Sequence, residues 1–142
     1  MKMALLLTLV PMLGFGMDRM AALSMLETGN NDRVVGGAGE ISRYQILKRE
    51  WHTVTNSTCY ADPKTASAVT RRLLTRRVDD FRAVYHRAPT DFEFYGLWNA
   101  PNQTLRGRVS RVVAERCRRF CNLCKRSDPS DYTVGIQLAS SN

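Results

Sequence analysis

A chain of 142 residues with 44% hydrophobic and 24% charged side chains suits one globular domain; its length leaves no room for a second and its composition excludes a disordered or wholly membrane-embedded chain. The formal net charge is +8, and residues 63–126 concentrate it, with fifteen Lys or Arg against five Asp or Glu. Such a surface seeks polyanions, and charge alone fits nucleic acid and an acidic cell wall equally.

The first sixteen residues read as an export signal. Lys2 gives a positive start, the run from Ala4 to Leu13 is apolar apart from Thr8 and Pro11, and Gly14-Phe15-Gly16 offers small residues for cleavage. A buried N-terminal helix is the alternative, which Pro11 and the two glycines suit poorly. The run is too short to cross a bilayer, so no membrane span is expected once the signal is removed, and an exported protein of the periplasm, envelope or exterior is expected. The domain then covers 17–126, with a tail over 127–142.

Met17 to Glu27 reads as a helix with Met20, Leu23 and Glu27 on one face, stopped by Gly29. The turn-rich stretch from Asn30 to Gly39 predicts a loop or a small hairpin. A short helix is expected over 45–53, carrying Ile46, Leu47 and Trp51. Asp62-Pro63 then marks a sharp N-terminus for a long helix to Tyr85, because Asp accepts from free backbone N–H groups and Pro tolerates the first helical position. Its arginines, Arg77 included, lie mostly off the apolar stripe and read as a solvated face.

Thr90-Asp91-Phe92-Glu93 matches a capping box, opening a helix through Trp98 that Asn99-Ala100-Pro101-Asn102 breaks. The last helix is expected from Leu105 to Lys125, burying Val109, Val112, Val113, Cys117, Phe120, Cys121 and Cys124. Only the segment from Val134 to Leu138 looks weakly strand-like. The fold class is therefore mainly α, with a minor hairpin allowed.

Cys117, Cys121 and Cys124 have the C-x3-C-x2-C spacing of a radical S-adenosylmethionine cluster loop, but they lie in an amphipathic helix near the chain end. Core packing explains them better; with Cys59 they also permit a disulfide or a zinc site. No nucleotide or hydrolase fingerprint is present, and neither cofactor nor metal is expected.

An apolar setting turns a carboxylate into an acid useful near neutral pH. Glu27 ends an apolar helical run before a glycine-rich loop that suits a groove wall, although pattern alone favours an ordinary exposed helix-end glutamate. Ala22-Leu23-Ser24-Met25-Leu26-Glu27-Thr28-Gly29-Asn30-Asn31 resembles the segment of soluble lytic transglycosylases and goose-type lysozymes in which a helix ends on the catalytic Glu. Thr28 stands where that family usually has Ser. Gly37-Ala38-Gly39 and Ser42-Arg43-Tyr44-Gln45-Ile46 resemble its Gly-Ala and Gly-Leu-Met-Gln-Ile segments, with Glu40-Ile41 inserted and the triplet before Gln45 changed. Leu97-Trp98-Asn99-Ala100-Pro101 resembles its Ala-Tyr-Asn-Ala-Gly turn, with Trp98 for Tyr and Pro101 for Gly. The order and spacing of the segments agree with the family across about 20–125.

The resemblance implies a lysozyme-like helical domain whose groove binds peptidoglycan glycan strands. Glu27 protonates the bond between N-acetylmuramic acid and N-acetylglucosamine, with Gln45, Tyr44, Tyr95, Trp98 and Asn99 binding substrate. Because Trp98 replaces the family's Tyr, a tyrosine hydroxyl for Glu27 must come from elsewhere, with Tyr95 and Tyr44 as candidates. A lytic transglycosylase uses Glu27 as acid and then as base. An inverting muramidase needs a second carboxylate, for which Glu40 is the main candidate and Asp32 another; Glu93 belongs to its cap, and Glu50, Asp79 and Asp80 read as exposed helix positions. A wall-binding module of weak activity and a basic nucleic-acid binder are the rival classes, and the export signal speaks against nucleic acid.

Overall fold

A computed structural model describes residues 17–124 and the backbone of residues 137 and 138. The expected signal, residues 1–16, and the rest of the tail lie outside the described residues. The chain is mainly helical: α1 (Arg19–Thr28), α2 (Lys48–Trp51), α3 (Pro63–Tyr85), α4 (Asp91–Asn99), α5 (Pro101–Leu105) and α6 (Arg111–Cys124). Strands β1 (Arg108–Val109) and β2 (Gln137–Leu138) pair in parallel. No helix among the described residues is long and apolar enough to cross a membrane.

The helix ends are set by local chemistry. Asp18 caps α1 by accepting from the Met20 and Ala21 N–H groups, and Gly29 closes it at φ 63°, with its N–H bonded to Met25 O and that of Asn30 to Ser24 O. Asp62 accepts from Thr65 N at 2.7 Å ahead of Pro63. The capping box forms as well: the Thr90 hydroxyl accepts from Glu93 N and the Glu93 carboxylate accepts from Thr90 N. Arg87 grips both Glu93 oxygens, at 2.6 and 2.7 Å, so this buried acid is fully engaged.

Helix α4 is buried along nearly its whole length and packs chiefly against α6, with α1 on α6 and with α3 and α5 against α4. Phe120 stands at the centre, 5.8 Å from the Phe94 ring and 5.3 Å from that of Tyr95. Cys117, Cys121 and Cys124 are buried in the same core, and burial, with Cys121 beside it, pushes the Cys117 thiol up to about 12, which keeps it protonated. Cys59 is exposed and is not joined to them in a disulfide.

Several expectations need correction. The helix expected over 45–53 shrinks to α2, because Ile41 and Ile46 form an antiparallel bridge and Gln45 between them has φ 53°. The minor hairpin is this single bridge, just beyond the Asn30 to Gly39 stretch. Pro101 opens its own short helix rather than a plain turn, and the chain turns at Gly107 into β1, so the last helix begins at Arg111 and not at Leu105. Val112 is 71% exposed, since Val113, about 100° further round the helix, takes the inward place. Of the segment from Val134 to Leu138, Gln137 and Leu138 form β2, and the rest lies outside the described residues.

Candidate functional site

The last turn of α1 delivers Glu27 to a groove of about 480 Å³. Gln45, Glu40, Trp98, Asn99 and Arg116 line it too, so segments far apart in the chain meet there. The loop that carries Gln45 is tied to α1 by the Thr28 hydroxyl, which donates to Arg43 O at 2.9 Å. Ser42 and Gln45 both take left-handed backbone angles, φ 64° and 53°, a conformation that costs a non-glycine residue about 1–3 kcal/mol and persists where its surroundings enforce it. Gly36 makes room for both groove-lining side chains: a Cβ there would stand 2.3 Å from Gln45 Oε1 and 2.3 Å from Glu40 Oε2. Glu40 is further held by accepting from Ala38 N at 2.9 Å.

The Glu27 side chain is only 6% exposed. The hydroxyl of Tyr95, itself fully buried in α4, donates to Glu27 Oε1 at 2.7 Å, and Arg116 Nη2 of α6 stands 3.2 Å from Oε2. Burial pushes the Glu27 carboxyl above the ordinary carboxylate range; the Tyr95 hydrogen bond and the Arg116 charge pull it back in part, and the charge of Glu40 adds to the rise. The Tyr95 hydroxyl is raised in turn, by burial first and then by the Glu27 carboxylate, so it stays a donor. A buried acid with an elevated pKa, fixed by a neutral donor at the wall of an open groove, is equipped to deliver a proton near neutral pH.

A second charged pair lines the groove. Arg77 donates to the Leu97 and Trp98 carbonyls at 3.2 and 2.9 Å, pairs with Glu50 at 2.7 Å and lies 5.2 Å from the Trp98 ring centroid. It satisfies carbonyls at the end of α4 and so steadies the turn that bears Asn99. Glu50 and Arg77, expected on solvated faces, are therefore groove residues.

Three further residues stand elsewhere than expected. Tyr44 is 4% exposed and belongs to the core rather than to the groove lining. Tyr95 does not line the groove either; it reaches the site only through its hydroxyl. Asp32 is bound at 2.6 and 2.8 Å by Arg43, whose hydrogen bonds hold its carboxyl below the usual range, and it faces a separate cavity of about 340 Å³. Arg116 was hidden in the sequence among the four arginines of α6, and only its position one turn before Phe120, which packs on Tyr95, could have singled it out.

A cavity of about 610 Å³ opens between Arg19, Arg71, Leu74, Arg82 and Phe94, without Glu27. Its acids are committed: Asp18 caps α1 and Asp79 pairs with Arg82. Among the described residues no group of three His, Cys, Asp or Glu is arranged to hold a metal ion.

The chain matches no family model, no curated protein and no solved structure. Its chemistry rests on the groove itself.

That chemistry is testable without a substrate. Tyr95→Phe keeps the ring and removes the donor, so the Glu27 pKa is expected to rise further above the ordinary carboxylate value. Carboxyl-carbon NMR titration follows this directly, and an unchanged or lowered value would show that the hydroxyl does not bear on the acid.

Proposed function

We propose that the protein is exported and cleaves the β-1,4 bond between N-acetylmuramic acid and N-acetylglucosamine in peptidoglycan, as a lytic transglycosylase of lysozyme-like fold. The single observation that carries the reading is the buried Glu27 carboxyl held by the Tyr95 hydroxyl at the wall of the groove. Three segments that resemble the soluble lytic transglycosylases meet at that groove, through Glu27, Gln45 and Asn99. Ser42, which stands at the family's glycine, takes the positive φ that a glycine would favour.

In this mechanism Glu27 protonates the glycosidic oxygen, which leaves with the N-acetylglucosamine as its 4-hydroxyl, while positive charge develops on the muramic anomeric carbon as its C–O bond breaks. The resulting carboxylate then takes the proton of the muramic 6-hydroxyl, which closes on the anomeric carbon as a 1,6-anhydro ring. Tyr95 keeps the carboxyl oriented through both transfers. Gln45, Asn99 and Trp98 contact the glycan along the groove, and the excess of arginine suits the carboxylates of the wall.

A second reading has its own observation. Glu40 lines the same groove, and its charge acts on Glu27. A base about 6.5–9.5 Å from the acid activates water and gives inversion with a reducing end. Glu40→Gln separates the two. The lytic route predicts that cleavage falls by less than about tenfold, whereas loss of a general base typically costs roughly 10²–10⁴-fold. Release of soluble fragments from purified peptidoglycan measures both, and an inactive Glu40→Gln with an active wild type would transfer the assignment to hydrolysis.

A further inference from the structure

The Glu27 carboxyl meets three charged or titratable side chains: Tyr95 from α4, Arg116 from α6 and Glu40 from the loop before Ile41. Two of them are fixed, Tyr95 by full burial and Glu40 by its bond to Ala38 N. Arg116 is different. Its side chain is 39% exposed at the groove, and it reaches Glu27 through one nitrogen at 3.2 Å, beyond the usual 2.7–2.9 Å of a charge-assisted bond. A guanidinium offers five N–H donors in a planar fork, and a carboxylate approaching from the groove meets that fork with two parallel bonds, a better arrangement than the single long contact. Of the other arginines lining the groove, Arg77 is committed to Glu50 and two carbonyls, while Arg49 is an exposed second cation.

We infer that Arg116 is the residue by which the groove distinguishes an anionic glycan from a neutral one: a carboxylate on the bound strand draws the guanidinium off Glu27 and leaves that acid holding its proton. The inference rests on Glu27 as the acid of the reaction. In the empty groove Arg116 favours the charged carboxylate. In the occupied groove the ligand's carboxylate engages Arg116, and Glu27 keeps burial, the Tyr95 hydrogen bond and the Glu40 charge without the pull of the guanidinium. A glycan without carboxylates leaves the pair intact and the acid less protonated than in the complex with an anionic strand, so selectivity appears in turnover as well as in binding.

Titration calorimetry with muramyl dipeptide as the anionic probe and chitobiose as the neutral one tests the contact without any cleavage. The wild type is expected to bind the anionic probe about tenfold or more tightly than the neutral one, a difference of about 1.4 kcal/mol, and Arg116→Met and Arg116→Gln are expected to lose that preference. Equal binding by the wild type, or a preference kept in both variants, would overturn the inference. Release of the acid is read from the pH dependence of cleavage of soluble peptide-bearing strands. Activity requires protonated Glu27 and falls as pH rises through its pKa, so in the wild type the limb for kcat, which reports the complex, should lie above that for kcat/KM, which reports the free enzyme. In Arg116→Met the kcat/KM limb should move up to meet it. Coincident limbs in the wild type would contradict the release. A wild type that prefers the anionic probe yet cuts no strand would remove the proposed reaction while supporting the Arg116 contact.

Discussion

Glu27→Gln is expected to lower cleavage of peptidoglycan strands by roughly 10²–10⁴-fold, the usual contribution of a positioned general acid. Glutamine keeps the volume and an oxygen to accept from Tyr95, but it has no proton of carboxylic acidity to give. The same substitution should leave the protein more stable at neutral pH. Because the folded-state pKa of Glu27 lies above its ordinary 4.5, the stability linked to its protonation is fully present below the unfolded value and is lost as pH rises through the folded one. Glutamine never takes on that buried charge. Thermal unfolding of the two proteins at a series of pH values should therefore show the variant's advantage growing from about pH 4 towards pH 7. An active Glu27→Gln protein, or an advantage that shrinks as pH rises, would remove Glu27 from its role.

Trp51→Ala should have the largest effect on stability, a loss of about 3–5 kcal/mol. Trp51 closes α2 and is fully buried, its indole N–H donates to Ser57 O at 2.7 Å, and its ring meets that of Tyr60 at 5.2 Å edge to face. Truncation opens a cavity and leaves Ser57 O without its donor. Since domains have about 5–15 kcal/mol in all, the denaturant midpoint should fall by about a fifth or more. Arg49 and Glu50, which precede Trp51 at the groove, should lose their fixed positions with it. A loss under about 1 kcal/mol, the scale of a surface substitution, would mean that α2 does not anchor this wall.

Local chemistry was the legible part of this fold. Asp62 with Pro63, Thr90 with Glu93, and Gly29 each determine a helix end within a few residues of chain, and all three stand where their side chains or backbone freedom demand. Glu27, Gln45 and Asn99 could be read as groove residues because short segments carry them. The tyrosine replacing the one lost at Trp98 was narrowed to Tyr95 or Tyr44, and Tyr95 holds the bond while Tyr44 packs into the core.

Contacts between distant segments were not legible. Periodicity placed Arg77 and Arg116 on polar helix faces, but a helical stripe does not say which neighbour covers its edge. Arg77 meets carbonyls some twenty residues away, and Arg116 meets Glu27 from 89 residues away. Val112 shows the same limit from the apolar side: a valine at the margin of a stripe is buried only if another element reaches it. The left-handed turn at Gln45 was hidden because a non-glycine residue enters that region only under constraint from the surrounding fold.

Mass spectrometry of purified peptidoglycan digested by the wild type, with Glu27→Gln in parallel, tests the central claim most directly. Cleavage with Glu27 as acid and then base predicts glycan fragments ending in 1,6-anhydro-muramic acid, lighter by one water than hydrolytic fragments, and none from the variant. Intact strands from an otherwise well-folded wild type, or the same fragments from Glu27→Gln, would contradict it.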